Sequence, residues 1–153
     1  MPSRVIAVIL LAVVVAAATV AGAEWPQFRG PGRDNISTEK GLYRSWPATG
    51  PKVLWKISVA DGYAGAAIKD GTVYVNDYDM VKKAHLVRAI SLATGKDLWQ
   101  WRTAVDIRPN HGMSRTVPSV GAKLLFSLDP KCRFHALDAK TGALVWQKNL
   151  VQE

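Results

Sequence analysis

Ala89-Ile90-Ser91-Leu92-Ala93-Thr94-Gly95-Lys96-Asp97-Leu98-Trp99-Gln100 and Ala136-Leu137-Asp138-Ala139-Lys140-Thr141-Gly142-Ala143-Leu144-Val145-Trp146-Gln147 are two copies of one pattern. Ala89 matches Ala136, Thr94-Gly95 matches Thr141-Gly142, and Trp99-Gln100 matches Trp146-Gln147, each 47 residues apart without a gap. A glycine after a threonine suits a tight hairpin, where a positive φ is needed. The tryptophan that follows falls on the outer strand of such a hairpin, where a large ring can fill the space between neighbouring sheets.

Working outward, each copy is preceded by a second shared element. Asp70-Gly71-Thr72-Val73-Tyr74-Val75 and Val120-Gly121-Ala122-Lys123-Leu124-Leu125-Phe126 are both a glycine turn running into β-branched, apolar or aromatic residues. The unit therefore reads as four short strands, near 65–69, 72–77, 86–92 and 97–103 in the first copy. In the second they fall near 116–120, 123–128, 133–138 and 143–149. Thr49-Gly50 followed by Val53-Leu54-Trp55-Lys56 is a partial third copy with one extra residue. It predicts another strand near 52–59 that would complete a further blade. No segment after residue 23 has a helical period. Four-stranded units repeating every 40–50 residues define propeller blades. The expected fold is all-β: a partial β-propeller of about two four-stranded antiparallel blades plus an extra strand, preceded by a signal peptide.

That peptide is read at residues 1–23. Arg4 is followed by an uncharged apolar run from Val5 to Ala23, ending Ala21-Gly22-Ala23 before Glu24. A basic start, an apolar middle and a small-x-small end are the order of a cleaved secretory signal, with Ala21 and Ala23 as the site. The alternative is an uncleaved anchor, since the run is nearly long enough to span a bilayer. Cleavage leaves an arm at 24–50 and blades at 51–153, without a stable membrane span, in the periplasm or outside the cell. The chain stops directly after a strand, so the expectation is a piece of a longer propeller whose C-terminal blades close the ring. A small protein that builds rings from several chains is the other reading.

Composition narrows the function. Lys and Arg number 20 against 12 Asp and Glu, for a net charge of +8 in 153 residues. The cations are scattered, with Lys82-Lys83 the tightest group and Lys131 and Arg133 next, so they read as a solvated surface and not as a nucleic-acid face. The single cysteine, Cys132, excludes an internal disulfide and every paired-cysteine metal or redox site. It is expected to be buried as a small hydrophobe, the alternative being a partner beyond Glu153.

The repeat resembles that of PQQ-like β-propellers, a superfamily that includes quinoprotein alcohol dehydrogenases and BamB-like outer-membrane assembly propellers. Phe134 to Trp146 is a particularly close match. Trp25-Pro26-Gln27-Phe28-Arg29-Gly30-Pro31-Gly32-Arg33 and Gly50-Pro51-Lys52-Val53-Leu54-Trp55-Lys56 resemble the opening of exported bacterial members. The resemblance implies seven or eight blades in a closed ring. It also implies one of two activities: a non-catalytic binding or scaffold module with protein or cell-envelope partners, or the N-terminal part of a quinone-dependent dehydrogenase. BamB-like lipoproteins carry a cysteine after the signal, and Glu24 stands there in this chain, which puts membrane tethering in doubt.

Candidate chemistry is sparse. Thr94, Gly95, Trp99, Thr141, Gly142 and Trp146 are structural repeat positions. No catalytic residue, metal ligand or cofactor is assigned to these blades, and pyrroloquinoline quinone is expected only in a complete propeller. Asp77-Tyr78-Asp79 offers two carboxylates to a hard cation, far short of the six to eight oxygens calcium takes, and reads as a solvated turn. His111-Gly112-Met113-Ser114-Arg115 places a His near a Ser, but nearness in sequence does not make a base and a nucleophile. His85 and His135 read as surface or core histidines. Asn35-Ile36-Ser37 fits a glycosylation sequon, a pattern too short to weigh. Arg29 to Arg33 could hold an anion, and reads as an arm packed across the propeller.

Overall fold

The computed structural model describes residues 24–60, 62–107 and 113–152. The signal reading at 1–23, with Ala21 and Ala23, lies outside them, as do His111 and Gly112. Among the described residues the regular structure is entirely β: β1 (Ala67–Lys69), β2 (Thr72–Asp79), β3 (Ala84–Ser91), β4 (Asp97–Ala104), β5 (Ser119–Val120), β6 (Leu124–Leu128), β7 (Arg133–Asp138) and β8 (Leu144–Asn149). They form two four-stranded sheets in the orders β1-β2-β3-β4 and β5-β6-β7-β8, every pairing antiparallel. The chain is a partial β-propeller, and each strand lies within a few residues of its expected place.

The two blades match in detail. Gly95 and Gly142 both take positive φ, 71° and 75°. Each sits in the turn before the last strand, closed by Gly95 N–H to Ser91 O and Gly142 N–H to Asp138 O, both 2.8 Å. Each blade also slips register once at the same point, between Ala89 and Ile90 and between Ala136 and Leu137. That bulge lets Trp99 pair with Ala89 and Trp146 with Ala136, the small alanine leaving room for the ring.

The core lies where one sheet faces the other. Ala67, Tyr74, Val87 and Ala89 of the first blade pack on Val120, Leu125 and Leu137 of the second, with Trp99, Trp101 and Val117 at the margin. β3 is buried along most of its length, whereas β4 and β8 alternate or face outward, as inner and edge strands of a packed sheet should. The arm adds a stitch across both blades. Trp25 exchanges two 2.9 Å hydrogen bonds with Ile68 of β1, and Val120 N–H of β5 donates to Pro26 O at 2.8 Å.

Three expectations are corrected here. Residues 52–59 join no ladder, so the strand expected there is absent. A strand needs a neighbouring edge to pair with, and this segment lies against the first blade through side chains: the Trp55 indole donates to Leu92 O at 2.8 Å and Arg88 donates to Ser58 O at 2.8 Å. Cys132 is exposed, not buried. It sits in the β6–β7 turn with φ 60°, held by Cys132 N–H to Asp129 O, and this left-handed tip carries its side chain away from the core. Asp77 is not part of a solvated turn. It lies within β2 and is buried.

Candidate functional site

The repeat positions meet across the blade boundary. The Trp99 ring lies on the second blade's turn, so close that a Cβ on Gly142 would stand 2.5 Å from Trp99 Cε3. Its indole N–H donates to Ala139 O at 3.2 Å, an acceptor shared with the Tyr74 hydroxyl. Trp55 repeats this arrangement one blade earlier, with its ring over Gly95, where an added Cβ would meet Trp55 Cγ at 2.7 Å. Leu92 and Ala139, the two indole acceptors, are again 47 residues apart. Each tryptophan thus docks on the Thr-Gly turn of the following blade, and only glycine fits beneath it.

Trp146 is the third member of this series and has no such turn upon it among the described residues. Trp146 is 41% exposed. It clusters with Phe126 and Phe134, whose rings stack at 5.6 Å and lie 6.1 and 5.8 Å from it. Leu144, Val145, Leu150 and Val151, in and just after β8, are also exposed. Thr94 and Thr141 line the two turns. Thr141 donates to Asp138 Oδ1 at 2.8 Å, a local bond that holds the hairpin.

Between the blades lies a buried polar chain that the sequence did not disclose. Ser127 Oγ–H donates to Asn76 Oδ1 at 2.9 Å, and Asn76 Nδ2 donates to Thr116 O at 2.8 Å. His85 Nε2 stands 2.9 Å from Ser127 Oγ. The serine's one proton goes to Asn76, so His85 Nε2 carries its own hydrogen and donates to the hydroxyl. That polarity is the reverse of what a nucleophile requires, where the ring's lone pair must face the serine. Ser127, His85 and Asn76 are all buried, so the chain glues sheet to sheet. Burial pushes the His85 ring down to about 4.

Beside it, His135 stacks on His85 at 6.2 Å and contacts Trp101 at 4.8 Å. Its Nε2 meets Asp129 Oδ2 at 3.1 Å, and Arg133 Nε donates to the same oxygen at 2.6 Å. Burial alone would raise the Asp129 carboxyl, but the hydrogen bonds from His135 and Arg133 outweigh it and hold the group well below the usual carboxylate range. Arg133 then reaches back to Ala104 O of β4 at 2.8 Å, tying the blades together. Both histidines are therefore core residues. Their only sequence signal was alternation with apolar neighbours in β3 and β7.

The candidate cation pair does not fit a metal. Asp77 Oδ1 accepts from Ala60 N–H and Tyr78 N–H, both at 2.8 Å, and Oδ2 from Arg88 at 3.3 Å. Arg88 in turn forks onto Asp97 at 3.0 and 3.1 Å. Asp79 caps the β2–β3 turn through Val81 and Lys82 N–H. Both Asp77 oxygens are thus occupied, and Asp79 Oδ2 faces Arg102 at 3.8 Å. Among the described residues, no group of three His, Cys, Asp or Glu could hold a metal ion. Ser114 is buried and spends its carbonyl on Tyr63 and Ala64 N–H.

With this geometry in hand, comparison with known proteins places the chain. A family model described as "Outer membrane protein assembly factor BamB" matches residues 30–153. The chain belongs to this family of PQQ-like propellers. Among solved structures, BamB from Moraxella catarrhalis is similar at 25% identity and TM-score 0.48, covering 68% of this chain and 30% of that one. Quinohemoprotein alcohol dehydrogenase from Comamonas testosteroni is similar at 23% identity and TM-score 0.47, covering 62% of this chain and 14% of that one. A second such dehydrogenase, from Pseudomonas putida, is similar at 19% identity and TM-score 0.48, covering 65% and 14%. The match thus spans less than a third of each of these proteins. No curated protein matches the chain.

Proposed function

We propose that this chain forms part of an exported β-propeller that works as a non-catalytic binding and scaffold module. The observation that carries the proposal is the aromatic face of Trp146, Phe126 and Phe134. Its counterpart ring in the first blade is consumed by docking, whereas this face is available to a further blade or to a protein partner. Membership of a family described as an outer-membrane assembly factor supports a partner in the cell envelope. Four side chains of reactive type are spent on structure: Ser127 and His85 in the inter-blade chain, Asp77 and Asp129 on arginines. Among the described residues no helix is long and apolar enough to cross a membrane.

Export is the second half of the proposal and rests on residues 1–23. Intact-mass measurement of the exported form should give a chain beginning at Glu24; a mass retaining residues 1–23 would remove that half. For the module itself, the test is calorimetric titration with pyrroloquinoline quinone and calcium beside a dye-linked alcohol oxidation assay. Heat indistinguishable from dilution and no turnover above a heat-killed control are expected. Saturable micromolar binding with turnover would falsify the non-catalytic reading.

A further inference from the structure

The side of the first blade turned away from the second carries a segment unlike the rest of the molecule. Trp55 anchors it there, with its ring over Gly95 and its indole N–H on Leu92 O at 2.8 Å. The chain leading to this anchor is exposed from residue 36 to 54, Gly50 alone being half-buried. Leu42, Tyr43 and Trp46 in one run, and Val53 and Leu54 in the next, are between 56% and 75% exposed. The Tyr43 and Trp46 rings lie 5.5 Å apart. A hydrogen-bonded turn, Gly50 N–H to Pro47 O at 2.8 Å, separates the two runs.

Cations are interleaved with these apolar residues. Lys40, Arg44, Lys52 and Lys56 are all exposed, and no Asp or Glu stands between residues 40 and 60. None of the four makes an ion pair or a side-chain hydrogen bond among the described residues. Cations elsewhere are matched: Lys69 with Glu24, Lys83 with Asp106, Arg88 with Asp97 and Arg133 with Asp129. A purely apolar cover would bury the four charges unpaired, which is strongly unfavourable. An anionic cover neutralises them. An acidic polypeptide supplies charge but no apolar layer for the exposed rings and aliphatic chains, whereas a lipid surface supplies both.

We infer that residues 40–56 form a peripheral contact for an anionic lipid surface. The four cations meet the phosphate headgroups, and Tyr43, Trp46 and Leu54 enter the headgroup boundary. Tyrosine and tryptophan belong at that level because each ring has an apolar body and a polar tip. Each Lys or Arg beside an anionic leaflet strengthens binding about fivefold. The contact uses residues apart from Trp146, Phe126 and Phe134, so it stands whether or not that face takes a protein.

The test compares the affinity of the purified chain for vesicles of phosphatidylcholine alone and of phosphatidylcholine with an equal part of phosphatidylglycerol, read by co-sedimentation. The ratio of the two affinities reports charge recognition and cancels any uncharged contribution, that of the apolar run at 5–23 included. It should reach about a hundredfold at low salt and fall as salt is added. Lys52→Gln combined with Lys56→Gln should lower the ratio by about 25-fold. Lys82→Gln combined with Lys123→Gln removes the same charge from the β2–β3 and β5–β6 turns and should change it by no more than about twofold. Brominated phosphatidylcholine in the mixed vesicles should quench tryptophan emission, and Trp46→Phe should remove most of that quenching while keeping the ratio. No preference for phosphatidylglycerol, equal losses in the two double variants, or quenching unchanged in Trp46→Phe would overturn the inference. Equal affinity for soluble poly-glutamate would overturn it in favour of an acidic protein partner.

Discussion

The two blades share a strand plan, a turn and a bulge, yet their last strands end in different surroundings. In β4, Trp99 lies on Gly142 and Trp101 packs on His135, so the first blade's outer face is covered by the second. In β8, the equivalent positions are Trp146, which is partly exposed, and Lys148, which is exposed. The same sequence signal therefore yields a half-buried ring docked on the next blade in one case and an exposed ring in the other. A propeller blade does not complete its own core, because each sheet buries its outer face only when the next one arrives.

The sharpest way to break this comparison is to truncate the two rings. Trp99→Ala removes an aromatic group wedged between sheets and should cost about 3 kcal/mol in chemical denaturation. Trp146→Ala should cost about 1 kcal/mol, because much of its ring is already in water. Equal losses would mean that the dock contributes nothing beyond the ring's contacts within its own sheet.

Next in size is a pH effect on the boundary between the blades. His85 titrates near 4 when folded, against an ordinary value of 6.5. Between these values the unfolded chain binds the additional proton, so stability is fully present above about pH 6.5 and falls as pH drops towards 4. The loss should approach about 3 kcal/mol. Asp129, held below its ordinary 3.8, adds its own loss only below that value. In His85→Gln the slope between pH 6.5 and 4 should flatten; an unchanged slope would remove His85 as its source.

The glycines sharpen the comparison at smaller magnitude. Gly142→Ala places a Cβ 2.5 Å from Trp99 at φ 75°, so both strain and a clash follow, and about 2–3 kcal/mol should be lost. Gly50 has the same φ of 75° with nothing within 4 Å of an added Cβ, so Gly50→Ala should cost only about 1 kcal/mol. If the two substitutions cost the same, the ring above Gly142 is not a constraint. Below Gly142→Ala comes Ser127→Ala, which leaves Asn76 Oδ1 and the His85 N–H without their shared partner at the cost of about 1–2 kcal/mol.

The sequence alone determined the blade. A 47-residue recurrence, glycine at the turn and alternating apolar runs specify strand number, order and hairpin position, because these depend on backbone conformation and on which side of a pleat each residue faces. The contacts between blades were decided by the tertiary structure. Nothing in the local pattern distinguishes Trp99 from Trp146, or shows that Ser127 would reach Asn76 and His85, since those partners lie 51 and 42 residues away. Asp77 looked like a solvated acid until Arg88 and the backbone at Ala60 closed around it. Cys132 looked like a core residue until a left-handed turn put it outside. Residues 52–59 carried a strand's composition, but a strand requires a neighbouring edge, and composition does not supply one. Periodicity is a local property of the chain, whereas burial and pairing are properties of what comes to lie beside it.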